Sequence, residues 1–168
     1  MKLYDIVFSP TGGTQKVSAH LTKELGGNAV SVDLTDSKQD FHAIQLMQDD
    51  LAVISVPSYG GRVPAVAIER LGCIKANDAR AVLVCVYGNR AYEDTLVELE
   101  DAAKQAGFRV IAAVAAVAEH SIVREIAAGR PDTQDVQQLS AFAKQILDKF
   151  SAGNTTEPAI PGNRPYKK

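Results

Sequence analysis

Five apolar, β-branched runs recur along the chain, at residues 3–8, 29–34, 51–56, 81–86 and 110–117. Most are continuous rather than alternating, the pattern of strands covered on both faces, as in a parallel sheet. Parallel strands need crossover connections, and helical patterns fill the gaps. Val17, Leu21 and Leu25 share one face, and Gly26-Gly27 follows as a stop. Tyr92, Leu96, Leu99, Ala103 and Ala106 repeat by fours and threes and end at Gly107. Val136, Leu139, Ala143, Ile146 and Phe150 repeat the same way between Pro131-Asp132 and Gly153. Segments 40–48 and 64–71 carry weaker helical patterns. Asp5 interrupts the first run, and the pattern offers no reason for it.

Strand then helix, five times over, predicts an α/β fold: a doubly wound, five-stranded parallel sheet with helices on both faces. Right-handed crossovers leave few windings, and the common order for five strands is 2-1-3-4-5. The chain's 168 residues suffice for one core, taken as residues 1–153. The tail, 154–168, carries Pro158, Pro161 and Pro165 and no apolar period. It reads as an extended linker or arm outside that core.

In such a sheet ligands bind beyond the carboxyl ends of the strands, where the winding reverses. Three loops fall there, after strands 1, 3 and 4, which the order makes neighbours. The first is Ser9-Pro10-Thr11-Gly12-Gly13-Thr14. It opens a helix, whose first N–H groups are unpaired and partly positive. Gly12 and Gly13 expose those groups, and Ser9, Thr11 and Thr14 add hydroxyls, so the loop is suited to a phosphate. The plain alternative is a tight turn with Thr14 as N-cap. No Lys or Arg lies within the loop, which suits a resident cofactor better than a transferred group.

The second loop, from Pro57-Ser58-Tyr59 through Gly60-Gly61-Arg62 to Pro64, and the third, Tyr87-Gly88-Asn89-Arg90-Ala91-Tyr92, bring tyrosines to the same edge. Tyr59, Tyr87 and Tyr92 can sandwich a flat ring system, although Tyr92 reads equally as a core residue of its helix. The Gly60-Gly61 step allows unusual backbone angles and easy peptide rotation.

Several function classes are disfavoured. A net charge of −2 provides no field for nucleic acid or an anionic membrane. The longest apolar run, 110–118, is too short to span a bilayer, and the N-terminus lacks a signal-peptide pattern, so a cytoplasmic location is expected. Cys73 and Cys85 form no metal-binding pair, and Cys85 reads as a buried thiol. The first loop is neither a nucleotide-triphosphate P-loop nor a G-x-G-x-x-G dinucleotide loop. Ser9 and Pro57-Ser58 stand where a phospho-receiver needs carboxylates.

Ser9-x-Thr11-Gly12-x-Thr14 is similar to the FMN-phosphate loop of flavodoxins, and the resemblance covers roughly residues 1–150. SPTGGTQK, PSYGGRVP, VYGNRAYED and EHS…GRPD together resemble the flavodoxin-like domain of flavodoxin–ferredoxin fusion proteins of anaerobic bacteria. The resemblance implies a noncovalently bound FMN. Ser9, Thr11, Gly12, Gly13 and Thr14 would hold its phosphate. Pro57, Tyr59, Gly60 and Gly61 would line one side of the ring, and Tyr87, Gly88, Asn89 and Tyr92 the other. By position, Gly60–Gly61 is the peptide that rotates on reduction in flavodoxins, and a neutral semiquinone would be the stabilised form. The implied function is FMN-dependent electron transfer with a redox partner protein, for which a ferredoxin-type protein or iron–sulfur domain is one candidate. The alternative is an FMN-dependent NAD(P)H:quinone-type oxidoreductase.

The chain departs from the family in being nearly neutral, whereas flavodoxins are usually strongly acidic. It also carries Arg62 and Arg90 in the flavin loops, where a positive charge would raise the potential, unless both point into solvent. The fusions continue into a cysteine-rich cluster domain, and the tail EPAIPGNRPYKK resembles the start of their linker, so a fragment is one expectation and a stand-alone relative the other. His120, after strand 5, sits at the same end of the sheet, either at the flavin rim or without a role.

Overall fold

A computed structural model of the chain describes residues 1–119, 125 and 127–167. The chain runs β1 (Leu3–Val7), α1 (Gly13–Glu24), β2 (Val30–Asp33), β3 (Leu51–Pro57), α2 (Ala65–Leu71), β4 (Arg80–Tyr87), α3 (Thr95–Gln105), β5 (Arg109–Val117) and α4 (Thr133–Ser151). The five strands form one sheet in the order β2-β1-β3-β4-β5, with every pairing parallel. The predicted fold class and winding are therefore observed.

Alternate side chains of each central strand enter different cores. Ala52, Ile54, Ala81, Leu83 and Cys85 pack with Leu96 and Leu99 of α3 and Leu71 of α2. Val53, Val82, Val84 and Val86 pack with Val17 and Leu21 of α1 and Leu139, Ala143 and Ile146 of α4. Both faces are dry, which is why these runs read as continuous. Edge strand β2 is the exception: only Val32 of its four residues is buried. Among the described residues, no helix is long and apolar enough to cross a membrane.

Asp5 has a structural reason. It is buried in β1, where Ser18 Oγ donates to Oδ1 at 2.5 Å and Gln15 Nε2 to Oδ2 at 3.4 Å. Ser55 of β3 donates to Ser18 at 2.8 Å. The carboxylate ties β1 to α1 through a satisfied polar network.

The weak helical pattern at 40–48 does not form an α-helix. A single 3-10 turn, Phe41–Ala43, starts on Asp40, whose carboxylate accepts from His42 N. The chain then extends: Leu46 N donates to Lys75 O at 2.9 Å and Lys75 N to Ile44 O at 3.1 Å. A segment this short gains little from helical hydrogen bonds, and backbone pairing with a distant partner wins. The tail carries no regular secondary structure through residue 167, and it lies against the body: Ile160 packs on the α2/α3 core.

Candidate functional site

At the carboxyl edge of the sheet the three loops line one cleft of about 600 Å³. That volume suits a small ligand or cofactor. Thr11, Gly13 and Thr14 come from the first loop, Pro57, Tyr59, Gly60 and Gly61 from the second, and Tyr87 and Gly88 from the third. Of the other residues singled out in the sequence, Ser9, Gly12, Asn89 and Tyr92 do not line the cleft. Tyr92 borders a neighbouring hollow with Pro161 and Asn163. His120 lies outside the described residues.

The first loop turns into α1 through Gly12, the N-cap, at φ 92°. Only glycine takes that angle cheaply. Thr14 lies inside the first turn and is not the cap. Ser9 instead closes the turn: its N–H donates to Thr35 Oγ1 at 2.8 Å and its hydroxyl accepts from Gln15 N at 3.0 Å. The N–H groups of Thr11, Gly12, Gly13 and Thr14 have no acceptor among the described residues. Thr14 is only 5% exposed, and its hydroxyl has no partner there either. A hydroxyl that reaches the cleft from a buried residue and a set of unpaired N–H groups at a positive helix end form a preorganised anion cradle.

The second loop is a two-residue hairpin. Tyr59 N donates to Arg62 O at 2.9 Å and Arg62 N to Tyr59 O at 3.1 Å. Gly60 and Gly61 sit at φ 58° and 77°, the signature of a type I′ turn. The next peptide is fastened: Gly61 O accepts from Asp94 N at 3.1 Å. Ser58 Oγ meets Thr95 Oγ1 at 2.7 Å, a second tie between this loop and the start of α3. Tyr59 is 43% exposed, as a ring offered to a ligand must be. What burial it has pushes its hydroxyl pKa up.

Tyr87 and Tyr92 meet edge to face at 5.3 Å. Because α3 starts at Thr95, Tyr92 precedes the helix that its spacing suggested, yet it still packs on that helix's core. Burial, then Cys85 and Tyr87, raises its pKa. The two arginines differ. Arg90 lines the cleft and is exposed. Arg62 neither lines it nor points freely into solvent: it pairs with Glu98 and stacks on Tyr166.

The cleft also recruits residues to which sequence spacing assigned no binding role. Ser58 and Glu93 belong to the second and third loops, and Ala118 and Glu119 follow β5. Ala118 was visible only as the residue after a strand. A Cβ on Gly13 would sit 3.5 Å from its methyl, so β5 backs the first loop. Among the described residues no cluster of three His, Cys, Asp or Glu could hold a metal ion.

No protein-family model matches the chain, and no curated protein matches it. Solved structures do match. A flavodoxin of Streptococcus pneumoniae TIGR4 is 18% identical at TM-score 0.61, over 88% of this chain and 99% of its own. A Fusobacterium nucleatum flavodoxin bound to flavin mononucleotide is 14% identical at 0.57, over 89% and 99%. Rubredoxin oxygen:oxidoreductase of the anaerobe Desulfovibrio gigas is 14% identical at 0.60, over 90% of this chain but 36% of its own. At these identities the likeness establishes a flavodoxin-like fold.

Proposed function

We propose that the protein binds FMN in this cleft and transfers electrons as a flavodoxin-like carrier or electron-transfer module. One observation carries the reading: the first-loop residues Thr11, Gly13 and Thr14, whose N–H groups are unpaired, line the same cavity as Tyr59 and Tyr87. FMN joins a phosphate to a flat ring system, and the cleft offers a site for each. The Fusobacterium protein of the same fold, bound to flavin mononucleotide, supports the choice.

The N–H groups of Thr11, Gly13 and Thr14, with the hydroxyls of Thr11 and Thr14, take the phosphate, and Gly12 supplies the turn that aims them. The Ser9 hydroxyl shapes that loop and keeps its own proton to donate. Tyr59 and Tyr87 flank the ring, with Pro57, Gly60, Gly61 and Gly88 supplying backbone at its edge and Tyr92 supporting Tyr87, while Asn89, at φ 64°, turns the third loop behind the cleft. When bound, FMN supplies one-electron chemistry. The Gly60–Gly61 peptide is the adjustable part: rotating it changes whether the loop presents a carbonyl or an N–H. Electrons pass to or from a partner protein meeting this edge.

The test compares FMN with riboflavin by fluorescence titration, then follows slow photoreduction of the complex. Binding of FMN well above riboflavin, with reduction in two one-electron steps, is the expected result. No FMN binding overturns the reading. Reduction in a single two-electron step, and by NADH or NADPH alone, moves the protein to the oxidoreductase alternative.

A further inference from the structure

Beyond α4 the chain turns back along α3 and is fastened to the loops of the cleft. Lys104 pairs with Glu157 at 3.0 Å. Gly162 lies so close to Val97 that a Cβ there would stand 2.0 Å from its Cγ2. Asn163 N and Nδ2 donate to Asp94 Oδ1 at 2.8 and 2.9 Å, and Lys167 N donates to Oδ2 at 2.6 Å. Arg164 holds Glu100 and Asp101, and the Tyr166 hydroxyl donates to Asp101.

Two of these anchors lead into the second loop. Asp94 is fully buried; its carboxylate takes three hydrogen bonds from the tail, while its N–H donates to Gly61 O. Arg62, the residue that closes the hairpin, lies over the Tyr166 ring at 4.7 Å. Other tail contacts fall on Glu100, Asp101 and Lys104 of α3, but these two reach the residues that hold the Gly60–Gly61 turn, Asp94 through Gly61 O and Arg62 through the hairpin pair with Tyr59. Without it, Asp94 would lose all three of those donors and the chain that covers it, and its segment, which carries the N–H held by Gly61 O, would lose its tether.

We propose that residues 162–167 are a positioning strap that fixes the Gly60–Gly61 turn through Asp94 and Arg62. Its consequence for flavin binding rests on the function proposed above; the positioning itself does not.

The test is amide hydrogen exchange on the FMN-free full chain, comparing the unaltered protein with the triple variant G162A/R164A/Y166A. The amides of Tyr59, Arg62 and Asp94 are expected to exchange at least roughly tenfold faster in the variant, while those of Val53 and Val84 in the sheet keep their rates. Unchanged exchange at the three loop amides overturns the proposal. Acceleration of equal size in the sheet overturns it too, because the tail would then contribute only to global stability. A titration of the same two proteins with FMN is expected to show roughly tenfold weaker binding by the variant, the cost of a loop no longer preorganised. Should the unaltered protein bind no FMN, the proposed function falls, and the exchange data still decide the strap.

Discussion

The Arg62 guanidinium is held by Glu98 through two parallel hydrogen bonds, Nε to Oε2 at 2.7 Å and Nη2 to Oε1 at 2.9 Å. Glu98, 7% exposed, also accepts from Val63 N at 3.0 Å. The cation of the second loop is thus neutralised and turned from the cleft. Glu98→Gln keeps the shape and removes the charge. A freed Arg62 beside the cleft favours the anionic reduced flavin, so the midpoint potential of bound FMN should rise. A redox titration checks this, and a potential that stays put or falls contradicts it. Circular dichroism confirms that the variant is folded.

Thr14→Val removes one hydroxyl at constant volume. If that hydroxyl meets phosphate, FMN binding should weaken by about tenfold to hundredfold, the range of a hydrogen bond to a charged group. Riboflavin, which lacks the phosphate, should bind the variant and the unaltered protein alike. An equal loss for both ligands would mean that Thr14 shapes the cleft and does not hold an anion.

The two turn glycines should differ. A Cβ at Gly60 meets nothing within 4 Å, so Gly60→Ala costs only the left-handed backbone angle, about 1 kcal/mol. At Gly61 the same angle adds to a collision: Glu93 Oε2 at 2.6 Å and, less able to move away, Glu93 Cβ at 2.8 Å. Gly61→Ala should therefore lose about 2–3 kcal/mol or more in urea unfolding. Equal losses would show that Glu93 yields freely.

The contrast also marks what was legible in the sequence. The winding was legible because two-sided burial writes itself as continuous apolar runs, and the loops because glycine and hydroxyl residues crowd the strand ends. The 40–48 segment misled because its extended pairing with Lys75 is long-range and leaves no local pattern. The tie from Asp94 to Asn163 and Lys167 was invisible for the same reason. Three prolines in the tail speak against a regular helix or strand, but nothing in composition reports where such a chain lies down. The Arg62 pairing was hidden too: Glu98 is one of three acidic residues in α3, and only the fold aims it at the second loop.

Cys85 is fully buried in β4, and burial pushes its thiol up to about 12 against the pull of a Thr95 hydrogen bond. Cys73, just past α2, is half-buried, with Sγ near Glu69 O at 3.4 Å. A thiol reagent near neutral pH should label Cys73 first. Cys85 should react about a thousandfold more slowly, until the protein unfolds. Two equal fast phases would contradict the buried reading of β4.

Stability should pass through a maximum in weak acid, because two sets of carboxylates act in opposite directions. Burial raises the Asp5 pKa despite the donors Ser18 and Gln15. The folded state therefore takes up this proton before the unfolded chain does, and stability grows as pH falls from neutrality through the raised value. Asp94 is lowered first by Lys167 N–H and then by Asn163, Asp101 by Arg164, and Asp135 by Arg130. Their contributions are complete above the ordinary carboxylate range and disappear as pH falls through the lowered values. Around Asp94 and Asp101 the facing charges are Arg62, Glu98, Glu100, Lys104, Arg164 and Lys167, so strap docking should fail on the same acid limb. Urea midpoints measured from about pH 3 to about pH 8 should rise and then fall as the solution is acidified. Asp5→Asn carries no titrating proton, so the rise should vanish while the acid limb remains. A variant that keeps the rise would show that a group other than Asp5 produces it.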